Sequence, residues 1–354
     1  MHFKILELNF ERTWRGGERQ TVYNSEGFRK MGHQVSLICR KGYPLEKAAS
    51  KVGLTVFPFS NIFMLVWFLV MNGRKYDVFH AQTSHILTYC LITKPFHRRP
   101  IVFSRRVDFV PKGWLTRFKY RLTDKIVGVS QAVQRIVADF SDRNDVDVIS
   151  DIVVPRQLDQ KEAKKNLTAK GLNSGKRIIG TIAAMVPHKD PLTMVNAIKQ
   201  LSEIRDDFVF LHFGEGELKN EVQEKVKAYQ LENVYQLMGF VQDVENYYSV
   251  MEVFVMSSEE EGLGSSVLDA FVYRVPVVGT NAGGLQELLD EGRGVTCQIK
   301  HAEQLANGID KILSTSNNEL VPIVDRAYNY VIQKHNLEYI TSEYIKVFSS
   351  LRSL

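Results

Sequence analysis

A single pattern, run through twice, constrains this chain more than any other feature. Short apolar, β-branched stretches alternate with longer ones whose apolar residues recur at helical spacing. In the first half, strands are predicted at 3–8, 34–39, 54–58, 78–81, 101–104 and 125–129, with helices at 19–31, 62–72 and 130–140. The second half restarts the series, with strands at 177–183, 209–213, 234–237, 253–256, 276–279 and 294–296 and helices at 190–205, 216–229, 244–249, 265–272 and 284–289. Strand–helix alternation implies crossover connections, and crossovers make parallel sheets. Two successive copies predict an α/β chain of two Rossmann-like, doubly wound domains, and 354 residues suit two cores better than one. Pro155 disfavours helix in the residue before it, so the domains are placed at 1–155 and 156–335. The closing stretch 336–354 carries aromatic and aliphatic residues at helical spacing and is expected to pack back on the first domain.

Composition removes several alternatives. Hydrophobic residues at 44% and charged residues at 24% are the balance of a globular chain, not of a disordered or fibrous one. Cys39, Cys90 and Cys297 are odd in number and widely spaced, which argues against a disulfide framework or a zinc motif and fits a reducing, cytoplasmic compartment. The N-terminal sequence is charged too early for a signal peptide. The longest apolar run, 62–71, is roughly half the length that crosses a bilayer as a helix, so no membrane span is expected. Charge is divided unevenly: residues 1–155 hold 24 Lys and Arg against 13 Asp and Glu, a net of +11, whereas 156–354 hold 21 against 27, a net of −6. The basic half suits an anionic partner such as a membrane surface, a phospholipid or a nucleic acid, or is simply a solvated basic face.

Two motifs carry chemistry. Gly16-Gly17-Glu18-Arg19 follows the first predicted strand and opens a helix. Adjacent glycines let the backbone approach a ligand and accept positive φ, and amides at a helix start attract an anion. The second runs Met256-Ser257-Ser258-Glu259-Glu260-Glu261-Gly262-Leu263-Gly264-Ser265-Ser266, from a strand end through a glycine-flanked turn into a helix. Glu261 is expected in the turn and Asp269 about two turns into the helix, both able to accept hydrogen bonds from sugar or ribose hydroxyls, with the Ser265 and Ser266 amides facing a phosphate. Three glutamates in a row, taken alone, read as a solvated acidic loop.

They do not stand alone. Gly239-Phe240 lies upstream, and Pro276-Val277-Val278 followed by Gly283-Gly284 and Glu287 lies downstream. Together with Glu261-Gly262-Leu263-Gly264, this order resembles the retaining glycosyltransferases of family 4. The resemblance extends along the chain through Gly16-Gly17-Glu18, Gly32-His33-Gln34-Val35, Asp77-Val78-Phe79-His80-Ala81 and Gly214-Glu215-Gly216-Glu217-Leu218. It implies the GT-B fold, two Rossmann-like domains facing a central cleft, with acceptor on the first and nucleotide sugar on the second. It implies transfer with retention of anomeric configuration and no metal held by the protein or other cofactor, in agreement with the absence of Asp-x-Asp after a strand and of a His/Cys cluster. The resemblance assigns Glu261 to the donor sugar, Asp269 to the ribose and Lys189 to the diphosphate. Gly16, Gly17, Gly214, Phe240, Gly262, Leu263, Gly264, Ser265 and Ser266 complete the expected donor site.

The chain departs from the family pattern in three places. Asp269 stands where the family has a second glutamate, Ala184 where it often has an arginine, and Ser104-Arg105-Arg106-Val107-Asp108 where it commonly has a histidine near the acceptor. Arg105 or Arg106 could hold a phosphate of the acceptor, with Asp108 beside them, or the pair could be solvated; His80 reads as structural or as part of the same acceptor site. The basic aromatic stretch 111–121 suits either an interfacial helix against anionic lipid or an ordinary surface helix. The expected partners are a nucleotide sugar, a saccharide or lipid-linked acceptor and an anionic membrane at the inner face of the cell membrane, with no nucleic acid. The rivals are a nucleotide-sugar 2-epimerase on the same fold and a non-enzymatic basic adaptor.

Overall fold

The computed structural model describes residues 2–172 and 175–352. The chain divides into two compact units, Met1–Ile152 with Lys334–Leu354, and Val153–Gln333.

In the first unit, β1 (Lys4–Leu8), β2 (Gln34–Arg40), β3 (Thr55–Phe59), β4 (Val78–Ala81), β5 (Ile101–Arg105), β6 (Lys125–Gly128) and β7 (Asp147–Val148) form one sheet in the order β3-β2-β1-β4-β5-β6-β7. In the second, β8 (Arg177–Ile182), β9 (Phe208–Phe213), β10 (Tyr235–Gly239), β11 (Val253–Met256), β12 (Val277–Thr280) and β13 (Val295–Cys297) follow the order β10-β9-β8-β11-β12-β13. Every pairing is parallel. The winding direction reverses between β1 and β4 in one sheet and between β8 and β11 in the other. Ligands gather outside the carboxyl ends of strands at such switch points.

Local chemistry explains where several helices start. Asn61 Oδ1 accepts the Met64 amide at 3.0 Å, Ser130 Oγ the Val133 amide at 3.2 Å and Asp190 Oδ1 the Thr193 amide at 3.1 Å, each satisfying a donor that the first turn leaves orphaned. The helix Gly16–Lys30 begins three residues earlier than predicted, so Gly16 and Gly17 are its first two residues rather than a preceding turn. The stretch Val244–Ser249 is a 3-10 helix. The helices Pro44–Lys51, Ser84–His97, Gln160–Ala169, Ala302–Ser314 and Asn317–Lys334 and the strand β7 are additions to the predicted series. Ser84–His97 is apolar on most sides and contains Pro95, which hides its period, and a two-residue strand is too short to alternate.

The second core gathers Ile179, Met194, Ile198, Phe210, Val253 and Ile309. In the first unit the closing helix Leu337–Arg352 lies on the helix Gly16–Lys30, with the Phe28 ring 6.0 Å from Tyr344 and 5.4 Å from Phe348. These rings are fully buried and join the sheet core through Phe3, Val78 and Val102. Truncating one such aromatic ordinarily costs about 3–5 kcal/mol, so the last helix is an integral layer of this unit.

Candidate active site

Because β8 and β11 are parallel neighbours, the loops that follow them leave the second sheet from one edge. After β8 the chain makes the 3-10 turn Pro187–Lys189, and Asp190, at φ 43°, redirects it into the helix Pro191–Ile204. After β11, Ser257 Oγ donates to the carbonyls of Lys189 and Asp190 at 3.0 and 2.9 Å. The amides of Glu259 and Glu260 donate to the His188 carbonyl at 2.9 and 3.2 Å, and Thr280 Oγ1 donates to Ser258 O at 2.5 Å. So stitched, the two loops bring Lys189 Nζ onto the Glu261 carboxylate as an ion pair, and Ser258 Oγ donates to the same carboxylate at 3.2 Å.

The three glutamates have different fates. Glu259 pairs with Lys300 at 2.9 Å, Glu260 is exposed, and Glu261 is buried. A carboxylate is taken out of water only where charge or hydrogen bonds compensate it, which rules out a solvated acidic loop at Glu261. The pair keeps a contact with solvent, the side chains being 19% and 11% exposed.

Beyond Glu261 the chain passes Gly262 and buried Leu263, turns at Gly264 (φ 103°) and enters the helix Ser265–Val272, whose N-terminus has no side-chain cap. Half-buried Ser265 and Ser266 open that helix, where its dipole favours negative charge. Asp269 is its fifth residue, little more than one turn in rather than two, and is half-buried. The Gly284 amide donates to the Glu261 carbonyl at 2.8 Å, and a Cβ at Gly284 would sit 2.3 Å from the Gly262 carbonyl oxygen. Only glycine lets the next helix start this close to the turn. The same holds at Gly214 after β9, where φ is 141° and a Cβ would meet Ala183 O at 2.0 Å. His212 supports that turn from below, donating through Nε2 to Ala183 O at 3.2 Å while Nδ1 accepts from Tyr235 OH at 2.7 Å. Burial pushes the His212 pKa down to about 4, so its ring is neutral. Phe240, which follows β10, is 69% exposed.

The first switch point differs. Glu7 and His80 face each other in the register of β1 and β4, and His80 Nδ1 lies 2.7 Å from Glu7 Oε1. His80 Nε2 reaches Ser104 Oγ at 2.8 Å, and Ser104 Oγ reaches Tyr344 OH at 2.8 Å. Gln82 Nε2 donates to Glu7 Oε2 at 2.7 Å. His80 is fully buried with both ring nitrogens occupied, so it is a structural group and not an acceptor contact. Nor is the Arg105-Arg106 pair solvated. Buried Arg105 donates to Tyr120 OH at 2.6 Å and to the Phe109 carbonyl, and Arg106 bonds Asp151 at 3.1 Å and Gln82 Oε1 at 2.5 Å. Arg106 and Asp108 are half-buried and keep some surface. Gly16 and Gly17 have helical rather than positive φ, and a Cβ at Gly17 would meet nothing within 4 Å. Glu18, the next residue, is buried and its carboxyl pKa is raised by that burial; the Arg15 amide donates to it at 2.8 Å.

Sequence reasoning passed over Ser257, Ser258 and Thr280, which stitch the loops, and Glu7, Gln82 and Asp151, which satisfy His80 and Arg106. A charged residue inside a predicted buried strand was the available signal for Glu7.

Among the described residues, no group of three or more His, Cys, Asp or Glu side chains could hold a metal ion, and no helix is long and apolar enough to cross a membrane. Residues 14–155 match the family Glycosyltransferase Family 4, and residues 162–329 match Glycosyl transferases group 1. This chain is a family 4 glycosyltransferase. The glycosyltransferase is 23% identical over 326 residues to the 2-deoxystreptamine N-acetyl-D-glucosaminyltransferase of Niallia circulans, covering 84% of this chain and 82% of that one. It is 25% identical over 238 residues to the lipopolysaccharide core biosynthesis glycosyltransferase LpsE of Rhizobium meliloti (strain 1021), covering 66% and 67%. Its fold, GT-B, matches that of Anabaena Alr3699/HepE, crystallised with UDP and glucose, at a TM-score of 0.84 and 19% identity over 99% of this chain and 100% of that one.

Proposed function

We propose that this glycosyltransferase moves a sugar from a nucleoside-diphosphate sugar to a saccharide or lipid-linked acceptor with retention of configuration, in the assembly of a cell-surface polysaccharide or lipopolysaccharide at the cytoplasmic side of the membrane. The observation that carries the reading is the Lys189–Glu261 pair, partly open to solvent at the second switch point and beside a helix start that no side chain caps. The names of several relatives support the choice of product.

In this reading the diphosphate lies against the Ser265 and Ser266 amides with Lys189 on its oxygens, and Asp269 and Glu261 accept hydroxyls of the ribose and the donor sugar. The bond from the anomeric carbon to the diphosphate oxygen breaks, and the bond to the acceptor oxygen forms on the same face. The acceptor's hydroxyl proton passes to the departing phosphate. Positive charge fixed before the reaction stabilises the leaving group without reorganisation, which is where such sites gain most of their rate. Lys189 and the helix amides supply that charge, so the protein needs no metal of its own. Arg106 and Asp108 stand on the acceptor side.

Calorimetric titration with UDP-, GDP- and ADP-sugars tests the donor, beginning with UDP because the Anabaena neighbour holds it. One donor is expected to bind and to be consumed only when an acceptor is present. Binding of none, or an altered donor sugar with no acceptor added, overturns the proposal.

A further inference from the structure

The helix Ile62–Asn72 buries little of itself. Leu65 and Leu69 are buried, while Phe63 is 87%, Met64 54%, Trp67 67% and Met71 59% exposed. These four positions fall on one side of an α-helix and make a continuous outward stripe. Fold topology extends the stripe into a surface. The crossovers β3 to β4, β4 to β5 and β5 to β6 all run in one direction along the sheet, so right-handed connections put the helices Ile62–Asn72, Ser84–His97 and Trp114–Leu122 on the same face. Bonds tie them side by side: Arg74 Nε donates to Phe96 O at 2.8 Å, and Lys119 Nζ to Ser84 O at 2.9 Å. The second helix adds Ile92 and Phe96, 59% and 53% exposed. The third adds Trp114, Leu115 and Phe118 at 75%, 64% and 54%.

Charge says what covers this face. Residues 61–124, with Asp142 that pairs with Arg117 and Arg121, hold eleven Lys and Arg against four Asp, a net of +7. Contact with a second copy through the same face would set like charge against like charge. An apolar stripe framed by cations is complementary to an anionic lipid surface, where aromatic rings sit at headgroup level and cations meet phosphates. The first helix has 11 residues, about 16 Å of length, so it can lie in the interface and not cross it. Between the second and third helices, a groove of about 630 Å³ combines Leu91, Pro95 and Leu122 with Arg98 and with Lys94, which is paired with Asp124.

We infer that the first unit docks flat on an anionic membrane through these three helices, with Phe63, Met64, Trp67 and Met71 entering the headgroup–acyl boundary. This goes beyond the transfer reaction, and its test contains no sugar, so either can fail without the other. Full-length protein is sedimented with vesicles of phosphatidylcholine alone or containing 30% phosphatidylglycerol, at about 0.05 and 0.5 M salt. Selective binding to the anionic vesicles, weakened by salt, is expected. Brominated acyl chains should quench tryptophan emission, since Trp67 and Trp114 are on the face and the remaining tryptophan, Trp14, is half-buried. The double change Phe63→Glu with Trp67→Glu should reduce partitioning at least tenfold with melting unchanged. Lys75→Gln with Arg98→Gln should reduce it by about 30-fold at low salt. Absent or charge-independent binding, unquenched emission, or wild-type binding by the Phe63/Trp67 variant would overturn the inference. So would a dimer in sedimentation velocity that the same variant disperses without any vesicle binding, which would assign the face to a second copy.

Discussion

Each sheet reverses its winding once, and at each reversal a pair of ionisable side chains joins neighbouring strands. At β1 and β4 the pair is Glu7 with His80, inside the strands, with both side chains 0% exposed. At β8 and β11 it is Glu261 with Lys189, carried on the loops beyond the strand ends and 11% and 19% exposed. Tyr344 and Phe348 of the closing helix cover the first pair, their rings 4.8 and 5.7 Å from that of His80. A short distance along a strand thus separates two uses of one topological position. A pair within the strands is sealed by whatever packs on the sheet and can hold the fold. A pair on the loops stays within reach of a ligand.

The comparison can be broken by experiment. Glu261→Gln should lower kcat at least about 10³-fold and leave melting within a few degrees. A rate within tenfold of wild type would remove Glu261 from the site. His80→Phe fills the ring volume and leaves buried Glu7 short of a partner, which should cost about 3 kcal/mol in urea unfolding with kcat per folded molecule unchanged. Lost activity at wild-type stability would make the first pair chemical. Lys189→Met should reduce kcat/KM about 10²-fold and weaken binding of the free nucleoside diphosphate, which titration calorimetry reads directly.

The smallest effect concerns one buried histidine from each unit. Burial lowers the pKa of His97 and of His212 to about 4 from 6.5, so the unfolded chain takes up these protons first as pH falls. The stability each confers is present above pH 6.5 and is lost as pH drops towards 4. By pH 5 the loss is about 2 kcal/mol per group. Denaturant midpoints measured from pH 7 to 4.5 should fall for the wild type and fall less for His212→Gln. An equal slope in both would mean that His212 titrates in the folded state.

The double alternation fixed the fold class, because periodicity is a local property and parallel crossovers are nearly the sole use of such a series. The order of glycines and Glu261 was equally legible, since the turns they allow are set by backbone sterics within a few residues. Asp269 was placed a turn too deep although the helix start at Ser265 was predicted correctly, since four residues beyond that start make little more than one turn. Of the alternatives the sequence left open, solvation of Arg105 and Arg106 and an acceptor role for His80 both fail for one reason. Their partners, Tyr120, Gln82, Asp151 and Ser104, are remote in sequence and are assembled by the sheet.

The sequence by itself determined two doubly wound sheets and the glycines that turn the backbone beyond Glu261, because those follow from interactions between near neighbours. The tertiary structure alone decided which charged pair is sealed and which is open, and which apolar helix faces outward. Burial depends on what the rest of the chain lays over a residue: the hydroxyl that closes the His80 network comes from Tyr344, 240 residues beyond Ser104.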